Sequence, residues 1–202
     1  MRIYCAGPLF NRKEKEEMEE IAQALEKEGF GVFLPQRDGL EFAGCIDGLI
    51  ASGLDQETAS DLLMRAIYAL DVYQVIEGCD AIVVNLNGRV PDEGAVAEAA
   101  LAWYAGKTLV GYKSDVRSLI RGCDNPLVLG LFDFKTVATI ADLVSCVKTE
   151  LTGSSRFTRS SDRKREIEEC LNFGQRIWDT LRDANRRKEV VSVLLENTKM
   201  RA

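Results

Sequence analysis

The chain has 202 residues, 26 Lys and Arg against 32 Asp and Glu, a net charge of −6 and a hydrophobic share of 46%. That length holds one α/β domain and an appendage, no apolar run reaches the roughly 18 to 20 residues needed to span a bilayer, and the acidic balance argues against a nucleic-acid duplex as ligand. There is no histidine, which excludes Ser-His-Asp and Cys-His catalysis and His-ligated metals and leaves acid–base work to carboxylates, Lys, Tyr or Cys.

Arg2 to Ala6 reads as a strand that begins at once, leaving no room for a signal peptide; a cytoplasmic location is the expectation. Gly7-Pro8-Leu9-Phe10 is a turn. Asn11 is placed as the N-cap of a helix to Glu28, with Met18, Ile21, Ala22 and Leu25 at helical spacing. Phe30 to Leu34 is a second strand, ending in Pro35-Gln36-Arg37-Asp38-Gly39. Residues 40–56 are Gly-rich and irregular, a loop with a short helix. Glu57 to Glu77 is a helix with Leu63, Ile67, Leu70 and Val75 on its stripe and Asp71 beside it.

Ala81-Ile82-Val83-Val84-Asn85-Leu86 is an apolar run of the kind found in buried parallel strands. Gly94 to Tyr104 is a helix, and Thr108 to Tyr112 a fourth strand. Residues 113–126 are a loop with a short basic helix. A fifth strand is expected near Leu131 to Phe134, and a helix over Val137 to Leu151. Strands alternating with helices imply a parallel sheet with right-handed crossovers. The expected fold is α/β: a flavodoxin-like, doubly wound five-stranded domain over 1–151.

Thr152 to Ser161 has the composition of a linker. The remainder, 162–202, reads as a helical extension, marked by Ile167, Leu171, Gly174, Trp178 and Leu181 and then by Val190, Val191, Leu194 and Leu195. Residues 152–202 hold 12 Lys and Arg against 8 Asp and Glu; residues 1–151 hold 14 against 24. A solvated charged face accounts for the basic tail better than contact with an acidic neighbour does. The six cysteines form no Cys-x-x-Cys pair and read as reduced thiols, so no zinc or redox motif is expected.

Ligands of open α/β sheets bind beyond the carboxyl ends of the strands. Tyr4, Asp38, Asp92 and Glu98 converge there if the sheet forms as read. Asp71 is either a satisfied helical residue or an inward-facing ligand group. Gly7-Pro8 lacks both phosphate-loop fingerprints, which removes the usual case for ATP, GTP or NAD, but it lets a sugar or base approach the backbone. Asp92, after Pro91, suits a helix N-cap. Glu98 lies six residues on, among alanines that neither shield it nor fill the space before it. A desolvated Glu near another carboxylate has a raised pKa. Paired acids of this kind serve acid–base or nucleophilic work on a sugar-like substrate.

Ile3-Tyr4-Cys5-Ala6-Gly7-Pro8-Leu9-Phe10, Phe33-Leu34-Pro35-Gln36-Arg37-Asp38-Gly39, Asp71 before Cys79-Asp80-Ala81-Ile82-Val83, and Pro91-Asp92-Glu93-Gly94-Ala95-Val96-Ala97-Glu98 together resemble the nucleoside 2-deoxyribosyltransferase family. The likeness covers residues 1 to about 150. Ala100 departs from it, where the family often has Gly.

The resemblance implies cleavage of the N-glycosidic bond of 2′-deoxynucleosides, with deoxyribose passed to another nucleobase and no metal or organic cofactor. By it, Glu98 matches the nucleophile that forms a covalent glycosyl-enzyme, Tyr4 orients Glu98, and Asp92 and Asp71 handle the nucleobase and its proton. Gly7, Pro8, Phe10, Asp38 and Gly94 belong to the substrate pocket by the same match. Family members are oligomers whose sites are completed by a neighbour, and the 113–126 loop, with Ser118 and Asn125 as sugar contacts, is the segment expected to do so. The implied partners are a small nucleoside or nucleotide and a free nucleobase, with no nucleic acid and no membrane. Two alternatives stand beside this: a 2′-deoxynucleoside 5′-monophosphate N-glycosidase that delivers water, with Ser118 to Gly122 as phosphate pocket, and a non-catalytic nucleotide-sensing module with the basic tail as effector.

Overall fold

The computed structural model of the chain describes residues 1–40, 42–88, 90–115, 124–152 and 159–182. They form two units, Met1–Arg156 and Phe157–Ala202.

In the first unit, β1 (Arg2–Ala6) is followed by α1 (Arg12–Lys27), β2 (Gly31–Phe33), a single turn α2 (Pro35–Asp38), α3 (Phe42–Ala51) and α4 (Gln56–Tyr73). Then come β3 (Ala81–Asn85), α5 (Glu93–Tyr104), β4 (Thr108–Tyr112), the short α6 (Pro126–Gly130), β5 (Thr136–Val137) and α7 (Ile140–Thr152). The five strands are all parallel, in the order β2-β1-β3-β4-β5. This is the doubly wound α/β arrangement expected from the alternation of elements. The winding reverses between β1 and β3, so the crevice at the carboxyl ends of these two strands is the place where such sheets bind ligands.

Strand residues alternate between the faces. Ile3 and Cys5 point to one side, where Met18, Ile21, Ala22 and Leu25 of α1 meet Leu143, Val147 and Leu151 of α7. Tyr4 and Ala6 point to the other, against Val75 and Ala95, Ala99 and Ala102 of α5. Each large aliphatic fully buried here contributes about 1.5–3 kcal/mol. The three alanines lie at i, i+4 and i+7, so α5 sets a stripe of small side chains against the sheet.

Local signals start the helices where the sequence places them. Asn11 accepts from Glu14 N, and Glu14 returns the bond to Asn11 N, a complete capping box. Asp92 accepts from Ala95 N at 2.7 Å and caps α5. Gly7 is needed for close approach: a Cβ there would lie 2.5 Å from Met18 Sδ and 2.9 Å from Asn85 Cβ. This glycine locks the exits of β1 and β3 to α1.

Three expectations differ from the structure. Residues 40–56 contain a full ten-residue helix, α3, whose Ile46 packs on Ala59 and Leu63 of α4 as a small separate core. The helical stretch read over Glu57 to Glu77 ends as an α-helix at Tyr73 and finishes in one wider π turn, Gln74–Gly78. The fifth strand lies at Thr136–Val137, not at Leu131 to Phe134. Asp133 and Phe134 take φ of 52° and 58°, a left-handed pair that no strand accommodates. The apolar stretch before them is α6 and its exit, started by Asn125, which accepts from Leu127 N.

The second unit contains α8 (Arg159–Arg182), which begins inside the stretch read as linker. The basic helix expected around 117–121 and the second tail helix lie outside the described residues. Among the described residues no helix is long and apolar enough to cross a membrane.

Candidate active site

Tyr4 is fully buried, its ring stacked on Phe33 at 5.3 Å. Its hydroxyl emerges beneath α5 and donates to Glu98 Oε1 at 2.6 Å. Glu98 is half-buried. Burial pushes its carboxyl up to about 7; the charges of Asp71 and Asp92 push the same way, and the bond from Tyr4 opposes them. Burial also raises the Asp71 carboxyl, again opposed by Tyr4. The Tyr4 phenol is driven far up by burial and by the two neighbouring acids, Glu98 and Asp71. It therefore stays protonated and acts as a donor.

Four groups from three separate stretches of sequence thus come together: Tyr4 on β1, Asp71 on α4, and Asp92 at the start of α5 with Glu98 six residues further. The meeting has a simple origin. β1 sends Tyr4 toward the α4–α5 face, the alanine stripe brings α5 down, and Asp71 faces inward from the last turn of α4. Asp92 commits one carboxylate oxygen, Oδ2, to Ala95 N. A Cβ at Gly94 would sit 3.1 Å from that same oxygen, so glycine keeps the space around it open.

Pro8 is buried in the turn after β1 and Phe10 is exposed. Asp38 is held within its own turn: it accepts from Leu34 N at 2.8 Å and from Arg37 Nε at 3.0 Å. Burial works against its charge, but these bonds outweigh it and hold the carboxyl below its ordinary value. Asn125 spends its side chain capping α6. Ser118 lies outside the described residues.

A polar knot at the carboxyl ends of β3 and β4 was not anticipated. Buried Asn85 donates to Glu17 Oε2 at 3.0 Å and accepts from Asn87 N. Asn87 donates to Glu17 Oε1 and Ser114 Oγ, and accepts from Ser114 N and Asp115 N. Lys113 donates to Leu86 O, Gly88 O and Asp124 Oδ1. The available signal was a polar residue at the end of each apolar strand, Asn85 and Lys113. Among the described residues no group of three or more Cys, Asp or Glu side chains is arranged to hold a metal ion.

The family model for nucleoside 2-deoxyribosyltransferase matches residues 3–169. A conserved protein of Enterococcus faecalis V583 is similar in fold, with TM-score 0.57 and 20% identity over 74% of this chain and 98% of that one. A CMP N-glycosidase of Clostridium botulinum aligns at TM-score 0.42 and 16% identity, over 73% of this chain and 99% of that one. A 2-deoxyribosyltransferase of Bacillus psychrosaccharolyticus aligns at TM-score 0.42 and 17% identity, over 64% and 81%. No curated protein matches the chain. With the family model covering most of its length, from β1 into α8, the chain belongs to the nucleoside 2-deoxyribosyltransferase family.

Proposed function

We propose that this protein cleaves the N-glycosidic bond of 2′-deoxynucleosides through a glycosyl ester on Glu98 and passes the deoxyribosyl group to a second nucleobase. The observation that carries this reading is the Tyr4–Glu98 bond at 2.6 Å within a group of three acids. Tyr4 binds Oε1, so Oε2 is the oxygen left to attack C1′. In the first step the Oε2–C1′ bond forms and the C1′–N bond breaks; the leaving base keeps the electron pair and takes a proton. Asp71, whose carboxyl burial shifts upward, is the donor in this reading, and Asp92 orients the base. In the second step a nitrogen of the incoming base attacks C1′, Glu98 leaves as carboxylate, and the proton of that nitrogen returns to Asp71. Two displacements at one carbon retain configuration. The partners in this reading are small molecules, a nucleoside and a free base, in a cytoplasmic setting. An oligomer with shared sites is part of the proposal, following the family.

The test is base exchange. Incubation with 2′-deoxyinosine and free adenine is expected to yield 2′-deoxyadenosine and hypoxanthine. Release of base from dCMP or dGMP without exchange would replace the transferase reading by the hydrolase one. Binding without turnover of either substrate would support the sensing module instead.

A further inference from the structure

We propose that Lys113 is a positioning residue for the acid cluster: its ammonium fixes the start of the loop that delivers Asp92. This rests on the functional reading above. Lys113 follows the last residue of β4, and its backbone N–H continues the sheet edge by donating to Val137 O at 2.8 Å. Its side chain turns back under the neighbouring loop and is 10% exposed; the Asp124 side chain that pairs with it is 6% exposed. The ammonium meets Leu86 O at 2.7 Å, Asp124 Oδ1 at 3.1 Å and Gly88 O at 3.3 Å. An ammonium has three protons and no acceptor, so all three are used.

These three acceptors belong to two segments, the connection that follows β3 and the residues before α6. Leu86 and Gly88 open the connection from β3 to α5, and this connection ends at Asp92. Leu86 is held on both sides, its N–H by Tyr112 O at 2.9 Å and its carbonyl by Lys113. Gly88 has φ of 114°, a conformation that favours glycine, at the point where the ammonium meets its carbonyl. Without the cation, the carbonyls of buried Leu86 and half-buried Gly88 lose a charged donor, and Asp124 keeps a buried charge without its partner. The connection is then free to shift, and Asp92 shifts with it. Displacement of a substrate-orienting group by about an ångström costs on the order of a hundredfold in rate.

The experiment combines turnover with amide exchange in the full chain. Lys113→Met keeps the length of the side chain and removes the charge. It is expected to lower kcat for exchange between 2′-deoxyinosine and adenine by about tenfold to a hundredfold, with a smaller change in KM and faster deuterium uptake in the peptide spanning 86–98. In Lys113→Ala, added ethylammonium chloride is expected to restore part of kcat where sodium chloride at equal strength does not. Asp124→Asn, which keeps an acceptor at the ammonium, is expected to lose less kcat than Lys113→Met. A kcat within about threefold of wild type in Lys113→Met, or uptake over 86–98 unchanged from wild type, overturns the proposal. Should the wild-type chain catalyse neither exchange nor release, the functional reading fails by itself, and the deuterium measurement still decides whether Lys113 holds the loop.

Discussion

The Tyr4 hydroxyl donates to Glu98 Oε1 at 2.6 Å across 94 residues of sequence. The bond joins the first strand of the sheet to the fifth helix, and it does two things. It fixes the rotamer of a half-buried acid. It also favours the ionised form of that acid against burial and two neighbouring charges. Tyr4→Phe removes both effects and leaves the ring stacked on Phe33. We expect kcat to fall by about ten- to a hundredfold and the acidic limb of the rate profile to move to higher pH. A variant with unchanged midpoint would show that the phenol does not tune Glu98.

The wild-type rate profile should report Glu98 directly. A nucleophilic carboxylate must be ionised, and burial places this one at about 7. Accordingly kcat/KM is expected to fall as pH drops through about 7, approaching a tenfold loss per pH unit below it. Measurement with one deoxynucleoside between pH 5 and 9 suffices. A midpoint in the ordinary carboxylate range, about 4.3, would mean that Glu98 is solvated.

The same shift sets a stability relation. The folded state holds a proton on Glu98 up to about 7, whereas the unfolded chain releases it near 4.3. Between those values the folded state binds more protons, so this residue's contribution to stability falls as pH rises through the window. Glu98→Gln removes the ionisation. It should raise Tm at pH 8, where the wild type carries a desolvated charge, and the gain should shrink at pH 5. About 1 kcal/mol at pH 8, or roughly 2–4 °C, is the expected order. Equal Tm differences at both pH values would contradict the assignment.

Gly7 tests the framework rather than the chemistry. An added methyl would lie 2.9 Å from Asn85 Cβ and 2.5 Å from Met18 Sδ. The methionine can give; the strand end cannot. Gly7→Ala is expected to destabilise by about 1–3 kcal/mol, read as a drop in the urea midpoint. It should also disturb the exits of β1 and β3 together, since all three groups meet at one point.

Much of this was legible because the informative signals are local. Asn11 and Asp92 cap helices by side chains that accept from N–H groups only three residues on, and alternation in Ile3-Tyr4-Cys5-Ala6 assigns each residue a face without knowledge of the rest. The alanines at 95, 99 and 102 mark the face of α5 that approaches the sheet. What stayed hidden depends on distant partners. The α3 helix forms although its glycines weaken it, because α4 supplies a surface for Ile46. Leu131 to Phe134 has strand composition, but a short apolar run does not distinguish strand from helix and turn. Asp38 bonds Leu34 N and Arg37 within its own turn, and Lys113 read only as the first residue of a loop, because its partners Leu86, Gly88 and Asp124 are distant in sequence.

The central claim is that Glu98 becomes covalently attached to sugar. The most direct measurement is intact and peptide mass spectrometry after rapid acid quench of the enzyme with a 2′-deoxynucleoside and no acceptor base. The account predicts a mass increase of one deoxyribosyl unit, confined to the peptide carrying Glu98 and lost in Glu98→Ala, while base is released in equal amount. Turnover with no adduct on that peptide, or an adduct that persists in Glu98→Ala, would contradict it.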